Sequence, residues 1–487
     1  MLTGATGALV FTPVGAAMPP ALIRAVPADH LAAVLVDDTQ SDTANAAAGE
    51  AGTRAGSLLD SAATVIAQLR GAGVLVQRAG PGGVVLDALT SAAVLRQYPY
   101  AIVVTGAGAQ RLPGGRARLS DLQGAVIVRT GGDHTPIRRQ IQSLLTVRTD
   151  ETNSRIVRSS LFGQPVYTLT DRRLPPWAIV QWGAFGDYYV IGLGREGFTD
   201  AVGAVQTDHT SVAADPWFAD AHRRTDGRYA HLEISLRLDR IRESLAAVIS
   251  QRVDGTIGQL GLGGVQRGLW SIGRDGRAVT ATVAVKRPRR TIVTPIARGL
   301  TDGDPVSVLI PDAARSYAII EHPPAKLVRR VRGAILASRS ARAQTALHAA
   351  WDRMAKPAGL DIERDLLAHL GDRIIIHNDP PHPLGIPLLV TIVVPIDGSA
   401  ERVKRSVDIL LAACADWLTP PAPNRGGPFA VRLKRTDDDI WYIQAGIVGP
   451  AVSVEDNNLV ISFSPTAVRQ VLKTLAASRE PQSADHP

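Results

Sequence analysis

Two distant stretches of the chain repeat one pattern of apolar and polar positions. Residues 125–145, AVIVRTGGDHTPIRRQIQSLL, open with a β-branched run, turn through glycines and enter a helical period. Residues 391–411, TIVVPIDGSAERVKRSVDILL, do the same. Ile137, Ile141 and Leu144 match Val403, Val407 and Leu410, the i, i+4, i+7 stripe of a helix with one buried side. Asp133 and Ser399 stand where an N-cap accepts the first free helical N–H groups. Arg138–Arg139 and Lys404–Arg405 fall on the opposite, wet side.

The flanking segments keep the same order. Val26-Pro-Ala-Asp29 leads into a strand at Leu31–Val36, and Ile310-Pro-Asp312 leads into Tyr317–Ile320. Short helices are expected at Leu86–Leu95 and Ile362–Leu370, each before a strand, Tyr100–Val104 or Arg373–His377. Downstream, each half carries a hairpin-like stretch with a tryptophan, Trp177 or Trp441, read as equivalent core anchors. Each closes with a strand, Tyr188–Leu193 or Leu459–Phe463, and a helix. The order predicts an internal duplication. Alternating strands are half-exposed antiparallel strands. The fold class is therefore α+β: two related halves of mostly antiparallel sheet, with helices packed on one face.

Between the halves, residues 229–237 alternate like a strand before a helix at Leu238–Ser250. Gly268–Gly273 and Ala278–Val285 read as a hairpin turning at Arg274-Asp275-Gly276. These strands should extend one sheet. The organisation is a possible export segment at 1–24, a first unit at 25–210, connecting strands at 211–304, a second unit at 305–475 and a disordered tail at 476–487. Residues 37–57 and the proline-rich 418–428 read as irregular.

Composition adds limits. At 487 residues the chain holds more than one core, and 45% hydrophobic with 20% charged residues is ordinary for a globular protein. No run reaches the roughly 18 apolar residues needed to span a bilayer; the interior run Ile386–Ile396 is broken by Pro387 and Pro395. The first twenty residues are apolar, small and uncharged, like the hydrophobic and cleavage regions of a secretory signal without its basic start. One cysteine, Cys414, excludes an intrachain disulfide and reads as a buried helical thiol. The net charge of +8 permits anionic partners without naming one.

Three motifs invite chemistry. Gly192-Leu-Gly194-Arg-Glu-Gly197 matches a dinucleotide fingerprint. Its counterpart, Ser462-Phe-Ser464-Pro-Thr466, has no glycines, so tight strand–helix packing is the expected reason and no cofactor is assigned. His377, Asp379 and His382 could share a metal, and a metal-assisted hydrolase centred there is one alternative function. Prolines stiffen that loop and no fourth ligand is local, so the motif is expected to hold no metal. Lys326–Arg342 carries Lys326, Arg329, Arg330, Arg332, Arg339 and Arg342 without an acid, beside the apolar Leu327, Val328 and Val331. A basic amphipathic helix can lie on anionic lipid or polymer, the second alternative. Aromatic residues are only 5% and none falls in the run, which argues against single-stranded nucleic acid.

With Val26-Pro27-Ala28-Asp29 and the Leu366–Gly371 phrase entering a strand, residues 25–475 resemble an uncharacterised family of exported bacterial proteins of unknown function. The resemblance implies export and an α+β build, and carries no catalytic residues. The sequence contains no GxSxG elbow, Walker loop, HExxH or EF-hand loop. The leading expectation is an exported, non-enzymatic protein with a binding or structural role at the cell envelope.

Overall fold

The structure is a computed structural model. It describes residues 20–37, 98–113, 117–148, 153–207, 210–225, 230–246, 263–338, 359–378, 390–418, 432–444 and 449–477, with Leu95, Thr345 and Ala349, but without positions 276, 313, 315 and 463. The elements of the first half are α1 (Pro20–Arg24), β1 (Ala32–Val36), β2 (Tyr100–Arg111), β3 (Ala117–Arg129), α2 (Thr135–Arg148), β4 (Ser154–Leu161), β5 (Gln164–Asp171), β6 (Val180–Phe185), β7 (Tyr188–Leu193) and α3 (Arg195–Gln206). Then come α4 (Pro216–Arg224), β8 (Ala230–Arg237), α5 (Leu238–Ser244), β9 (Arg267–Asp275), β10 (Ala278–Arg287) and β11 (Arg290–Ala297). The remainder is β12 (Tyr317–Ile320), α6 (Pro324–Ser338), β13 (Ile374–Asn378), β14 (Val390–Pro395), α7 (Ala400–Leu418), β15 (Arg432–Arg435), β16 (Trp441–Gln444), β17 (Ala451–Glu455), β18 (Asn458–Ser462) and α8 (Pro465–Ala477).

All described strands join one sheet, and apart from the single β10–β12 contact every pairing is antiparallel. In the first half the strands pair in the order β1-β2-β3-β7-β6-β5-β4. In the second half the order is β12-β13-β14-β18-β17-β16-β15. Strands β8 to β11 continue the sheet from β1, as expected of the connecting segment.

Alternation along each strand sends side chains to both faces, and helices cover both. Ala125, Ile127 and Val190 pack under Phe198 and Val202 of α3. Val128 and Tyr189, one position along, pack with Ile137 of α2 on the other side. Val393 and Val460 meet Val468 and Val471 of α8. Val394 and Leu459 meet Val403 and Val407 of α7. The helices therefore do not share one face: α3 and α8 lie opposite α2 and α7. The sequence could not show this, because strands apolar at successive positions fit burial on one side or two.

The expected caps are present. Asp133 accepts from the Thr135 N–H at 3.1 Å and Ser399 from the Arg402 N–H at 3.3 Å. Boundaries moved elsewhere: β2 runs on to Arg111, α5 stops at Ser244, and Ile362–Leu370 is a π turn followed by a 3-10 turn. The expected helix at Leu86–Leu95, apart from Leu95, lies outside the described residues, as do segments 1–19 and 478–487. The tryptophans are not equivalent. Trp177 sits in the β5–β6 connection, and Trp441 is in β16, where its indole N–H donates to Asp408 at 2.7 Å. Both are half-buried, whereas Trp182 is the buried one among the described residues.

Candidate functional site

The main concentration of buried polar groups lies where β8 and β9 meet α4. Asp215 caps α4 by accepting from the Trp217 N–H at 2.9 Å, and Pro216 occupies the first turn, where no amide proton is missed. This sets the helix across the sheet, with Phe218 and Ala221 buried and His222 and Thr225 aimed at the strands. Glu233 on β8 is fully buried. Its Oε1 accepts from His222 Nδ1 and from Ser271 Oγ of β9, both at 2.8 Å. The Ser271 and Thr225 hydroxyls lie 2.8 Å apart. Oε2 meets no donor among the described residues.

Burial works to lower the His222 pKa, but the bond to Glu233 and its charge outweigh it, so the imidazole is held above its usual 6.5. The carboxylate thus has a cationic partner whose side chain keeps 20% exposure. Next to it, His30 is buried and neutral. Its Nδ1 donates to the Pro27 carbonyl and its Nε2 accepts from Ser235, each at 2.8 Å. Burial depresses its pKa to about 4. Arg267 ion-pairs with Asp215 and lies over the Trp217 ring at 5.8 Å. Arg237 and Arg240 reach Asp29 at the end of β8.

Chemically, this is a carboxylate-oriented imidazole that meets no nucleophile among the described residues. Ser271 donates to the carboxylate rather than to the imidazole, so His222 is not its base. At 3% exposure Ser271 is also shut from solvent. The constellation is built as a polar clamp between helix and sheet. Sequence reasoning missed it because β8 alternates as a half-wet strand should, while the sides are reversed: His231, Glu233 and Ser235 are buried and Leu232, Ile234 and Leu236 are half-exposed. The available signal was Asp215-Pro216 opening a short helix with His222 and Thr225 three residues apart.

The motifs read from sequence fall elsewhere. At Gly192–Gly197 the glycines are packing positions. A Cβ on Gly192 would lie 2.4 Å from the Phe198 Cβ, and one on Gly197 2.2 Å from the Gly124 nitrogen. The Gly197 N–H that would greet a phosphate donates to Gln123 Oε1 at 3.2 Å. His377 is fully buried at the end of β13, in register with Tyr317 and Thr391, and burial lowers its pKa to about 4. Asp379 and His382 lie outside the described residues. Among the described residues no group of three His, Cys, Asp or Glu side chains is placed to hold a metal. Cys414 is in α7, its side chain outside the described part.

The basic run forms α6, with Arg339 and Arg342 outside the described residues. Leu327 and Val328 pack on the core. Lys326, Arg329 and Arg330, at i, i+3 and i+4, are exposed, while Arg332 pairs with Glu363 at 3.3 Å. Half-buried His322 is held below its usual pKa by burial, then by Arg330 and Lys326, which places these charges together. No helix among the described residues is long and apolar enough to cross a membrane. No protein-family profile, characterised protein or solved structure matches this chain.

Proposed function

We propose that this chain is an exported, non-enzymatic protein that binds an anionic component of the cell envelope through α6. The observation that carries the reading is the division of that helix: Leu327 and Val328 are spent on the core, and Lys326, Arg329 and Arg330 face outward as one basic row. A helix whose apolar side is already packed binds by charge alone, so the ligand is a polyanion or a lipid headgroup layer rather than an acyl interior. Export is supported by the apolar, uncharged residues 1–20 and by the family resemblance. The matching strand orders support a duplicated ancestry for the two halves.

Co-sedimentation with vesicles of phosphatidylglycerol in phosphatidylcholine tests the proposal. Each cation near such a surface contributes about 1 kcal/mol, so reversing Lys326, Arg329 and Arg330 to Glu should weaken binding by more than about 100-fold. Raised salt should weaken the wild type. Binding that survives the triple reversal, or equal binding to pure phosphatidylcholine, would refute the assignment to α6.

A further inference from the structure

At the far end of the first half, β4 is an edge strand of unusual composition. Among the described residues it pairs with β5 alone, and residues 155–160 are all exposed. Ile156 and Val157, on opposite faces, keep 47% and 41% exposure. Natural sheets blunt such edges with bulges, proline or a covering element, because an edge strand presents unpaired N–H and C=O groups to any incoming strand. Among the described residues no bulge, proline or covering element interrupts β4, and Arg155 and Arg158 are the only charges it carries. The edge at the other end is guarded: β15 reads Arg-Leu-Lys-Arg and packs against α7.

The β4–β5 turn adds an independent sign. Phe162 and Gly163 occupy the two turn positions with φ of 50° and 75°. Turns of this kind take Asn or Asp with Gly, and a bulky residue there is strained. The β17–β18 turn follows the rule, with Asp456 and Asn457 at φ 54° and 59°. Phe162 breaks it while remaining 60% exposed, so its ring is held out at a cost to the turn.

We propose that β4 accepts an extended acidic segment of a partner protein as an added antiparallel strand, with Phe162 as the anchor at its end. Arg155 and Arg158 choose the occupant. Both are exposed and neither meets a carboxylate among the described residues. A second copy paired antiparallel about Ile156–Val157 would set Arg155 against Arg158 twice, which opposes self-pairing. An incoming Glu-Val-Ile-Glu sequence sets an acid against each arginine and an apolar residue against Val157 and Ile156. This surface is separate from α6 and stands or falls without it.

The test uses a labelled, capped octapeptide, Thr-Thr-Glu-Val-Ile-Glu-Thr-Thr, and its counterpart with both Glu changed to Lys. Fluorescence anisotropy on the full chain should show saturable binding of the acidic peptide, at least tenfold tighter than the basic one. The Arg155→Glu/Arg158→Glu variant should reverse that preference. Phe162→Asn should weaken binding without lowering the melting temperature, which separates contact from folding. The proposal is overturned by no binding at millimolar peptide, by equal affinity for the two peptides, or by an unreversed preference in the double variant. A dimer in sedimentation velocity that Phe162→Asn dissolves would also overturn it, by giving the edge to a second copy.

Discussion

Removing His222 tests the account of the buried clamp. In His222→Ala the Glu233 carboxylate stays fully buried with Ser271 as its one remaining donor among the described residues. Breaking a buried ion pair by deleting one partner costs about 3–5 kcal/mol. The 20% exposure of the His222 side chain places the cost at the low end, about 3 kcal/mol at pH 6, where the imidazole is protonated. Glu233→Gln keeps an acceptor for Ser271 and removes the charge, so it should cost about 1 kcal/mol, the worth of an ordinary hydrogen bond. Adding Glu233→Gln to His222→Ala should therefore recover stability. The pH sign follows from the raised His222 pKa: the contribution of the charged pair is complete below 6.5 and is lost as pH rises through the folded value. The margin of wild type over Glu233→Gln should thus be larger at pH 6 than at pH 9. Guanidinium unfolding followed by tryptophan fluorescence reads all of these. A His222→Ala cost under about 1 kcal/mol, typical of a surface pair, would refute the clamp. So would a double variant less stable than His222→Ala.

Three further outcomes follow from the same geometry. His30 and His377, both pushed down to about 4 by burial, should make the fold lose stability as pH falls from 6.5 toward 4, up to about 3 kcal/mol each; denaturant midpoints at pH 7 and 4.5 measure it, and His30→Asn should flatten the slope. Gly197→Ala should destabilise by about 3 kcal/mol by driving α3 off Gly124, while millimolar NAD or ATP leaves the wild-type melting temperature unchanged. Leu22 and Val26 are fully buried, so an exported form should begin between Met18 and Pro20; N-terminal sequencing from the native host checks this, and a chain truncated to residue 25 should be less stable.

How far the sequence carried depends on what each signal encodes. The stripe from Ile137 to Leu144 and the caps Asp133 and Ser399 are local, and they placed α2 and α7 correctly because a helix signals its own start and buried side. Strand order is not local. Nothing in β3 says that it pairs with β7 rather than β4, since the choice is made by the crossing of α2 and by contacts far along the chain. The polar row of β8 shows a second limit. Alternation tells which side chains share a face, not which face is dry. Glu233 is buried because α4 brings His222 to it, and Ser235 because His30 meets it, and neither meeting has a trace within residues 229–237.

The strand order also decides where this protein can meet others. In each half the first strand and the last-paired strand lie at opposite ends of the pairing order, β1 and β4 or β12 and β15. The connecting strands cover the first of each pair: β8 lies along the whole of β1, while β12 meets β10 at the single position Ala278–Tyr317. That second junction is thin as a ladder, and side chains reinforce it. Arg277 donates to the carbonyls of Asp312 and Ala314, and Arg298 binds Asp304 and Glu321 while its backbone bridges Ile319. Joining the halves this way uses up their inner edges and leaves β4 and β15 outermost, with β11, which among the described residues pairs with β10 alone and is broken by Pro295, as a side edge. Of the outermost two, β15 is charged at three of its four positions and lies under α7. The same topology that closes the middle of the sheet therefore leaves β4, with Ile156, Val157 and Phe162 exposed, as the edge that neither proline nor a packed helix guards among the described residues.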